Sequence, residues 1–130
     1  MSIIYTDLGL MDKRIDFWDQ PSDPNLDGSK PDPVLFVSGV YAYLTSQDTT
    51  TESPRMKEQV LPKITHKIII RYRKGIRSRM FIIYADPDFD VDPSAPAWEQ
   101  GRRFDIDRPV DPDEKKVELR ILAIERNDGQ

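Results

Sequence analysis

The chain contains no cysteine and a single histidine, His66. Without cysteine there is no disulfide framework, no thiolate nucleophile and no cysteine-based zinc site. One histidine cannot build a multi-histidine metal centre, and histidine-based catalysis would depend on His66 alone. Because His66 alternates with Ile64 and Ile68, the sequence predicts a packed structural histidine.

Long apolar runs and catalytic motifs are also missing. No run approaches the ~20 residues that a membrane-spanning helix needs. The first residues show no basic segment followed by an apolar one, so no signal peptide is predicted. A glycine-rich phosphate loop, G-x-S-x-G and H-E-x-x-H are all absent. We therefore expect a cytosolic protein with no enzymatic activity, no cofactor, no metal and no membrane contact.

The composition fits one small domain with long loops. The chain has 130 residues, of which 32% are charged and 38% hydrophobic, and it contains 11 prolines. Such a chain has a modest core and extended polar connections. The prediction is a single domain over residues 1–130, with residues 1–11 as an N-terminal arm and residues 126–130 as a flexible tail.

The central segment is residues 64–84. Apolar side chains occupy every second position of residues 64–72, which is the period of a strand with one wetter face. A second apolar run covers residues 80–84, and Gly75 lies between the two. Because glycine accepts a positive φ at little cost, the two runs are predicted to fold back on each other as an antiparallel hairpin.

Four further strands are predicted from alternating apolar residues, at residues 14–18, 34–44, 103–108 and 117–125. Gly39 indicates a bulge in the second of these. One short helix is predicted after Ser53, and the loops at residues 20–33 and 85–100 are rich in proline and aspartate. The pattern favours a mainly β fold, a small antiparallel barrel or sandwich of about six strands with long loops and at most one short helix.

Charge is segregated along the chain, although the net charge is −4. Residues 63–79 contain no acid and seven basic residues: Lys63, Lys67, Arg71, Arg73, Lys74, Arg77 and Arg79. The loop at residues 85–100 contains an aspartate series: Asp86, Asp88, Asp90 and Asp92.

Three interpretations of the basic segment stay open. It can face the aspartate series on a neighbouring subunit or partner, with charge complementarity setting the register. It can protect exposed strand edges. It can also attract the phosphates of a nucleic acid. The first interpretation predicts contact residues Arg71, Arg73, Lys74, Arg77, Arg79, Asp86, Asp88, Asp90 and Asp92.

The aspartate series resembles a calcium loop only superficially. Counting from Asp88, the ligand positions would fall on Asp90, Asp92 and Glu99, but Pro93 stands where such a loop needs glycine for its sharp turn. The carboxylates between residues 105 and 114 likewise show no spacing that singles out an acid–base pair. A solvated acidic loop is the prediction.

Residues 65–73, THKIIIRYR, followed by Gly75, Ile76 and Met80, are similar to the head-tail connector proteins of tailed phages, the head-closure or stopper group also called head-tail joining proteins. The resemblance spans roughly residues 12–125. It continues through residues 13–15 (KRI), 40–44 (VYAYL), 101–104 (GRRF) with Ile106, and 111–114 (DPDE) before the last strand.

Three segments depart from that family's pattern. The connection at residues 85–100 is longer, the loop at residues 20–33 is rich in proline, and residues 46–62 match poorly. In the family such loops contact neighbours and gate the DNA channel.

The resemblance implies a small β-barrel that assembles as a ring in the virion neck. A hexamer is expected, with a dodecamer as the alternative. The implied partners are a portal or adaptor protein on the head side and a tail terminator or tail tube protein on the tail side. Assembly in the host cytoplasm and nonspecific contact with genomic DNA in the channel are also expected. The alternative function is a small β-barrel that binds nucleic acid through residues 63–79.

Overall fold

Six antiparallel strands close into a barrel in the computed structural model, which describes residues 5–6, 8–46 and 64–126, apart from the side chain of residue 113. This confirms the predicted mainly β fold. The described residues contain no α-helix, and the helix predicted after Ser53 lies outside them. The strands are β1 (Lys13–Asp19), β2 (Val34–Ser46), β3 (His66–Arg71), β4 (Met80–Tyr84), β5 (Arg102–Val110) and β6 (Glu118–Arg126), with short 3₁₀ turns at Leu8–Leu10, Ala97–Glu99 and Pro112–Glu114.

The strand order around the barrel is β1-β2-β3-β6-β5-β4, and β4 pairs with β1 to close it. The predicted hairpin of residues 64–84 is therefore wrong. β3 pairs with β2 and β6, whereas β4 pairs with β1 and β5. Hairpin strands are usually joined by about two to five residues. The longer connection of residues 72–79 instead crosses one end of the barrel, and its Ile76 is buried in the core.

The barrel interior is filled by alternate residues of the strands, as the strand period predicts. Full burial of each large aliphatic or aromatic side chain contributes about 1.5–3 kcal/mol. Val117, which was predicted to share the inner face of the last strand, precedes β6 and is exposed. The interior residues are Ile15, Phe17, Ala42, Ile68, Ile70, Ile82, Phe104, Ile106, Leu119, Ile121 and Ala123.

The bulge predicted at Gly39 is confirmed. Gly39 has a φ of 69°, and the register between β1 and β2 shifts as the pairing passes from Ile15↔Val40 to Phe17↔Val37. The backbone N–H of Gly39 donates to Oδ1 of Asp16 at 2.9 Å. Asp16 thus satisfies a backbone donor that the bulge removes from the strand ladder.

A second apolar cluster lies outside the barrel wall. Trp18, predicted on the wetter face of β1, is buried there with Phe81 and Ile83. Trp98 covers the cluster, its ring centre 5.8 Å from that of Trp18 in an edge-on arrangement. The outer face of β1 and β4 is buried because the loop between β4 and β5 folds back over it.

The chain ends depart slightly from the predicted bounds. Arg126, placed in the tail by the sequence prediction, is the last residue of β6. Residues 127–130 lie outside the described part of the chain. At the N-terminal end of the chain, Met11 is buried, although the sequence prediction placed it in the arm of residues 1–11.

Alanine substitution at Gly75 tests how closely residues 72–79 pack over the end of the barrel. The φ of Gly75 is 94°, and a Cβ there would lie 2.7 Å from Cζ of Phe36. Gly28 has a similar φ of 84° with nothing within 4 Å of such a Cβ. We expect Gly28→Ala to lower the free energy of unfolding by about 1 kcal/mol through backbone strain alone, and Gly75→Ala by about 2–3 kcal/mol. Urea denaturation measures both values, and equal losses would show that the Phe36 contact is unimportant.

Candidate interaction surfaces at the two ends of the barrel

The basic segment and the aspartate loop lie at opposite ends of the barrel. Residues 72–79 precede β4, and residues 85–101 follow it. Since a strand runs from one end of a barrel to the other, the two connections that flank β4 emerge at different ends. We call residues 71–79 at one end the basic end, and residues 85–101 at the other the acidic end. The loop between β1 and β2, with exposed Asp23, Asp27 and Asp32, leaves the barrel at the same end as residues 71–79.

At the basic end, Arg79 is used within the chain. Its Nε and Nη2 donate to the two carboxylate oxygens of Asp19 at 2.9 and 3.1 Å. Buried Ile76 anchors the same connection to the core. The other four predicted contact residues of this segment are exposed and form no ion pair with any described residue: Arg71, Arg73, Lys74 and Arg77.

At the acidic end, Asp86 is likewise used within the chain. Its Oδ2 accepts from Nη1 of Arg102 at 3.2 Å. The hydrogen bond that Asp86 accepts from the backbone N–H of Asp88, more than the Arg102 guanidinium, holds the pKa of Asp86 below its ordinary value. The remaining three aspartates of the series are exposed and make no ion pair with the described residues: Asp88, Asp90 and Asp92.

Several contacts fix the shape of the acidic loop. Nε2 of Gln100 donates to the backbone oxygens of Asp92 and Ala95 at 2.7 and 2.8 Å. The carboxylate of Asp92 accepts from the backbone N–H and hydroxyl of Ser94, which lowers the pKa of Asp92. Together with Trp98 on the barrel wall, these bonds present the aspartates on a preformed loop.

Beneath the acidic loop lies a partly buried polar network centred on Arg102. Its Nε and Nη2 donate to the two carboxylate oxygens of Glu125 at 2.8 and 3.0 Å. That hydrogen bonding lowers the pKa of Glu125, so Glu125 stays ionised at neutral pH. The ring of Phe104 packs against Arg102 and against His66.

His66 is a buried structural histidine, as predicted. Burial lowers its pKa below the ordinary 6.5, and the nearby Arg102 adds to this, while Glu125 acts in the opposite direction. Nδ1 of His66 lies 3.0 Å from Oγ1 of Thr65, which also accepts from the backbone N–H of Glu125 at 2.7 Å. A neutral imidazole that donates from Nδ1 fits this arrangement.

The N-terminal segment is attached to the outside of the barrel by a buried carboxylate. Glu118 is only 2% exposed, although its neighbour Leu119 points into the core. Its Oε1 accepts from the backbone N–H of Thr6, and its Oε2 from Nε of Arg120, both at 2.7 Å. The sequence prediction missed Glu118, because a single acid at the start of an alternating strand shows no sign of a partner so distant along the chain.

A hollow opens beside this segment, where β2 parts from β3. It has a volume of about 650 Å³. We call it the β2–β3 cleft. It is lined by Leu8, Met11, Gly39, Val40, Tyr41, Arg71, Tyr72 and Arg73.

Two of the other carboxylates considered in the sequence serve structural contacts. Asp105 pairs with Arg103 and Arg126 at 3.0 and 3.1 Å, and Asp111 accepts from the backbone N–H of Lys116 in the turn before β6. Within residues 5–6, 8–46 and 64–126, no three His, Asp or Glu side chains group to hold a metal ion. Over the same residues, no helix is long and apolar enough to cross a membrane.

The lowered pKa of His66 gives stability a defined pH dependence. The unfolded chain takes up a proton on His66 near pH 6.5, whereas the folded chain does so only at lower pH. The free energy of unfolding is therefore highest above about pH 6.5 and falls below it, by at most about 1.4 kcal/mol per pH unit. Urea denaturation between pH 7.5 and 5 should show this fall, and His66→Gln should flatten it. An unchanged slope in His66→Gln would contradict the assignment.

Glu118→Gln tests the attachment of the N-terminal segment. An amide is uncharged and offers one acceptor oxygen where the carboxylate offers two, so one of the donors from Thr6 and Arg120 loses its acceptor and both lose a charged partner. We expect a loss of about 1–3 kcal/mol in unfolding free energy and faster hydrogen exchange at the Thr6 amide. Glu114→Gln, at an exposed turn residue, is the control and should change neither. Unaltered Thr6 exchange in Glu118→Gln would contradict the attachment.

Comparisons with known proteins agree with the small β-barrel fold and identify a family. The profile of the family described as phage head completion protein matches residues 6–126. No curated protein matches the chain. The solution structure of protein SF1141 from Shigella flexneri 2a is similar in fold, with a TM-score of 0.58 and 21% sequence identity over 95% of this chain and 99% of that one. The chain therefore belongs to the phage head completion protein family, with a structural role at the phage head among other head and tail proteins.

Proposed function

We propose that the protein is a stopper of the phage neck: copies form a ring between the portal or adaptor protein and the tail, close the DNA-filled head and give the tail its docking surface. One observation carries this proposal. Four exposed cations of the basic end and three exposed aspartates of the acidic end, none with an ion pair to a described residue, lie at opposite ends of one barrel. Copies of such a monomer can join to one another in a closed ring.

A ring needs a heterologous interface, in which two different surfaces of the monomer are complementary. The barrel wall separates the basic and acidic ends, so the charges of one chain cannot neutralise each other. Between copies they can meet, and complementary charge then fixes the register. We infer that Arg71, Arg73, Lys74 and Arg77 of one copy face Asp88, Asp90 and Asp92 of the next, in a hexamer or, as the alternative, a dodecamer.

Exposed apolar side chains offer surfaces for the other neck proteins. Leu26, in the loop between β1 and β2, and Val34, Leu35 and Phe36 at the start of β2 are all exposed. Exposed apolar patches are typical of protein contact sites. They support docking to a portal or adaptor protein on one side and a tail terminator or tail tube protein on the other.

Nucleic-acid binding is the second candidate, favoured by the four unpaired cations of the basic end. Two findings weigh against it as the main function. The basic hairpin does not exist, and Phe81, one of the few aromatic residues near it, is buried, so the stacking platform of a single-strand binder is missing there. Contact of these cations with DNA in the channel of a ring is compatible with the first proposal.

Charge reversal at the basic end tests the ring. We expect the purified chain to sediment as one discrete oligomer at low salt and to dissociate in about 1 M salt, where the Debye length is about 3 Å. Arg73→Glu combined with Arg77→Glu should give monomers at low salt as well. Sedimentation velocity measures both effects.

Lys115→Glu combined with Lys116→Glu is the matched control. It makes the same change in net charge on an exposed turn, and the oligomer should persist. A chain that stays monomeric at all concentrations and salts, with no density in the neck of the virion, would contradict the proposal. Tight binding of monomers to DNA at low salt would favour the second candidate instead.

A further inference from the structure

We propose that the β2–β3 cleft is the seat for the acidic loop of a neighbouring copy. This inference rests on the proposed ring and names the surface through which the copies join.

The cleft exists because β2 is longer than the strand beside it. β2 pairs with β3 only from Ala42↔Ile70 to Ser46↔His66. The preceding part of β2, from Val34 to Val40, pairs with β1 alone among the described residues. No described strand pairs with its other backbone edge, and an open edge bonds readily to an incoming segment.

The lining of the cleft combines an apolar surface with positive charge. Met11 is buried, and Leu8 and Tyr41 are 58% and 57% exposed at its rim. Arg71 and Arg73 line it and have no ion pair with a described residue. None of the lining residues that the structure describes is acidic. The cleft therefore suits a segment that carries both apolar and acidic side chains.

The acidic loop has this composition. Asp88, Asp90 and Asp92 alternate with Phe89 and Val91. Val91 is 38% exposed and Phe89 is partly exposed, so both apolar and charged groups are available to a partner. Because the loop is already fixed, docking costs little ordering entropy.

Geometry makes the contact intermolecular. The cleft includes residues of the basic end, whereas the loop forms the acidic end of the same barrel. The described lining of the cleft contains no residue of the loop, so the two are not in contact within one chain. The loop of one copy and the cleft of the next are therefore the pair of unlike surfaces that a ring requires.

Crosslinking tests the seat directly, because the chain has no cysteine of its own. Leu8→Cys places a thiol at the cleft rim, and Val91→Cys places one on the loop. We expect an equimolar mixture of the two variants, treated with a short bismaleimide, to give a dimer joined between positions 8 and 91. Its yield should exceed that of a control mixture by on the order of tenfold, the advantage of a reaction within a complex. The control replaces Leu8→Cys by Leu26→Cys, at a leucine that is more exposed than Leu8.

Charge variants extend the test. Adding Arg71→Glu and Arg73→Glu to the Leu8→Cys chain should abolish the crosslink. Adding Asp88→Lys and Asp90→Lys to the Val91→Cys chain should then restore it. Restoration would identify these charges as partners across the contact.

The outcomes separate this inference from the proposed ring. Discrete oligomers without an 8–91 crosslink would overturn the cleft as the seat and leave the ring intact. A crosslink that survives reversal of Arg71 and Arg73 would overturn the role assigned to their charge. Strict monomers that never crosslink would overturn the ring and the seat together.

Discussion

The pairing of β1 with β4 is the constraint on which the rest of the structure depends. β1 bonds to β2 on one side and, from Ile15↔Tyr84 to Asp19↔Met80, to β4 on the other. This contact closes the sheet, leaves no free edge on β4, and encloses one apolar core. It also forces the two connections that flank β4 to opposite ends of the barrel, and thereby separates the basic residues 71–79 from the aspartate loop.

Charged residues divide into two groups on this scaffold. Arg102, Glu125 and buried Glu118 are bonded within the chain and hold the acidic end and the N-terminal segment in place. A second group is exposed and forms no ion pair with any described residue: Arg71, Arg73, Lys74, Arg77, Asp88, Asp90 and Asp92. Exposed ion pairs add little stability within a chain, about 0–1 kcal/mol, whereas complementary charge between copies sets orientation and excludes wrong partners. The separation of these charges within the chain therefore contributes more to the contact between copies than to the stability of the fold.

The strands and their inner faces can largely be predicted from the local sequence pattern, but the order in which the strands pair cannot. The period of two in residues 64–72 and 103–108 identified the inner faces correctly, and Gly39 marked the bulge. The same period says which way a side chain points and nothing about which strand lies beside it, which is why the hairpin prediction failed. Trp18 was wrongly predicted to lie on the wetter face of its strand, and Glu118 was missed. Segments distant in the sequence bury both side chains. The charges of the candidate surfaces are visible in the sequence, but their placement at opposite ends follows only from the closed topology.

The most direct test of the central claim is a cryo-electron microscopy reconstruction of the virion neck at a resolution that traces this chain. The proposed assembly predicts a closed ring in which the loop at residues 85–100 of each copy lies against residues 71–74 of the next. A ring whose subunits meet through other faces, with these two ends turned away from each other, would contradict it.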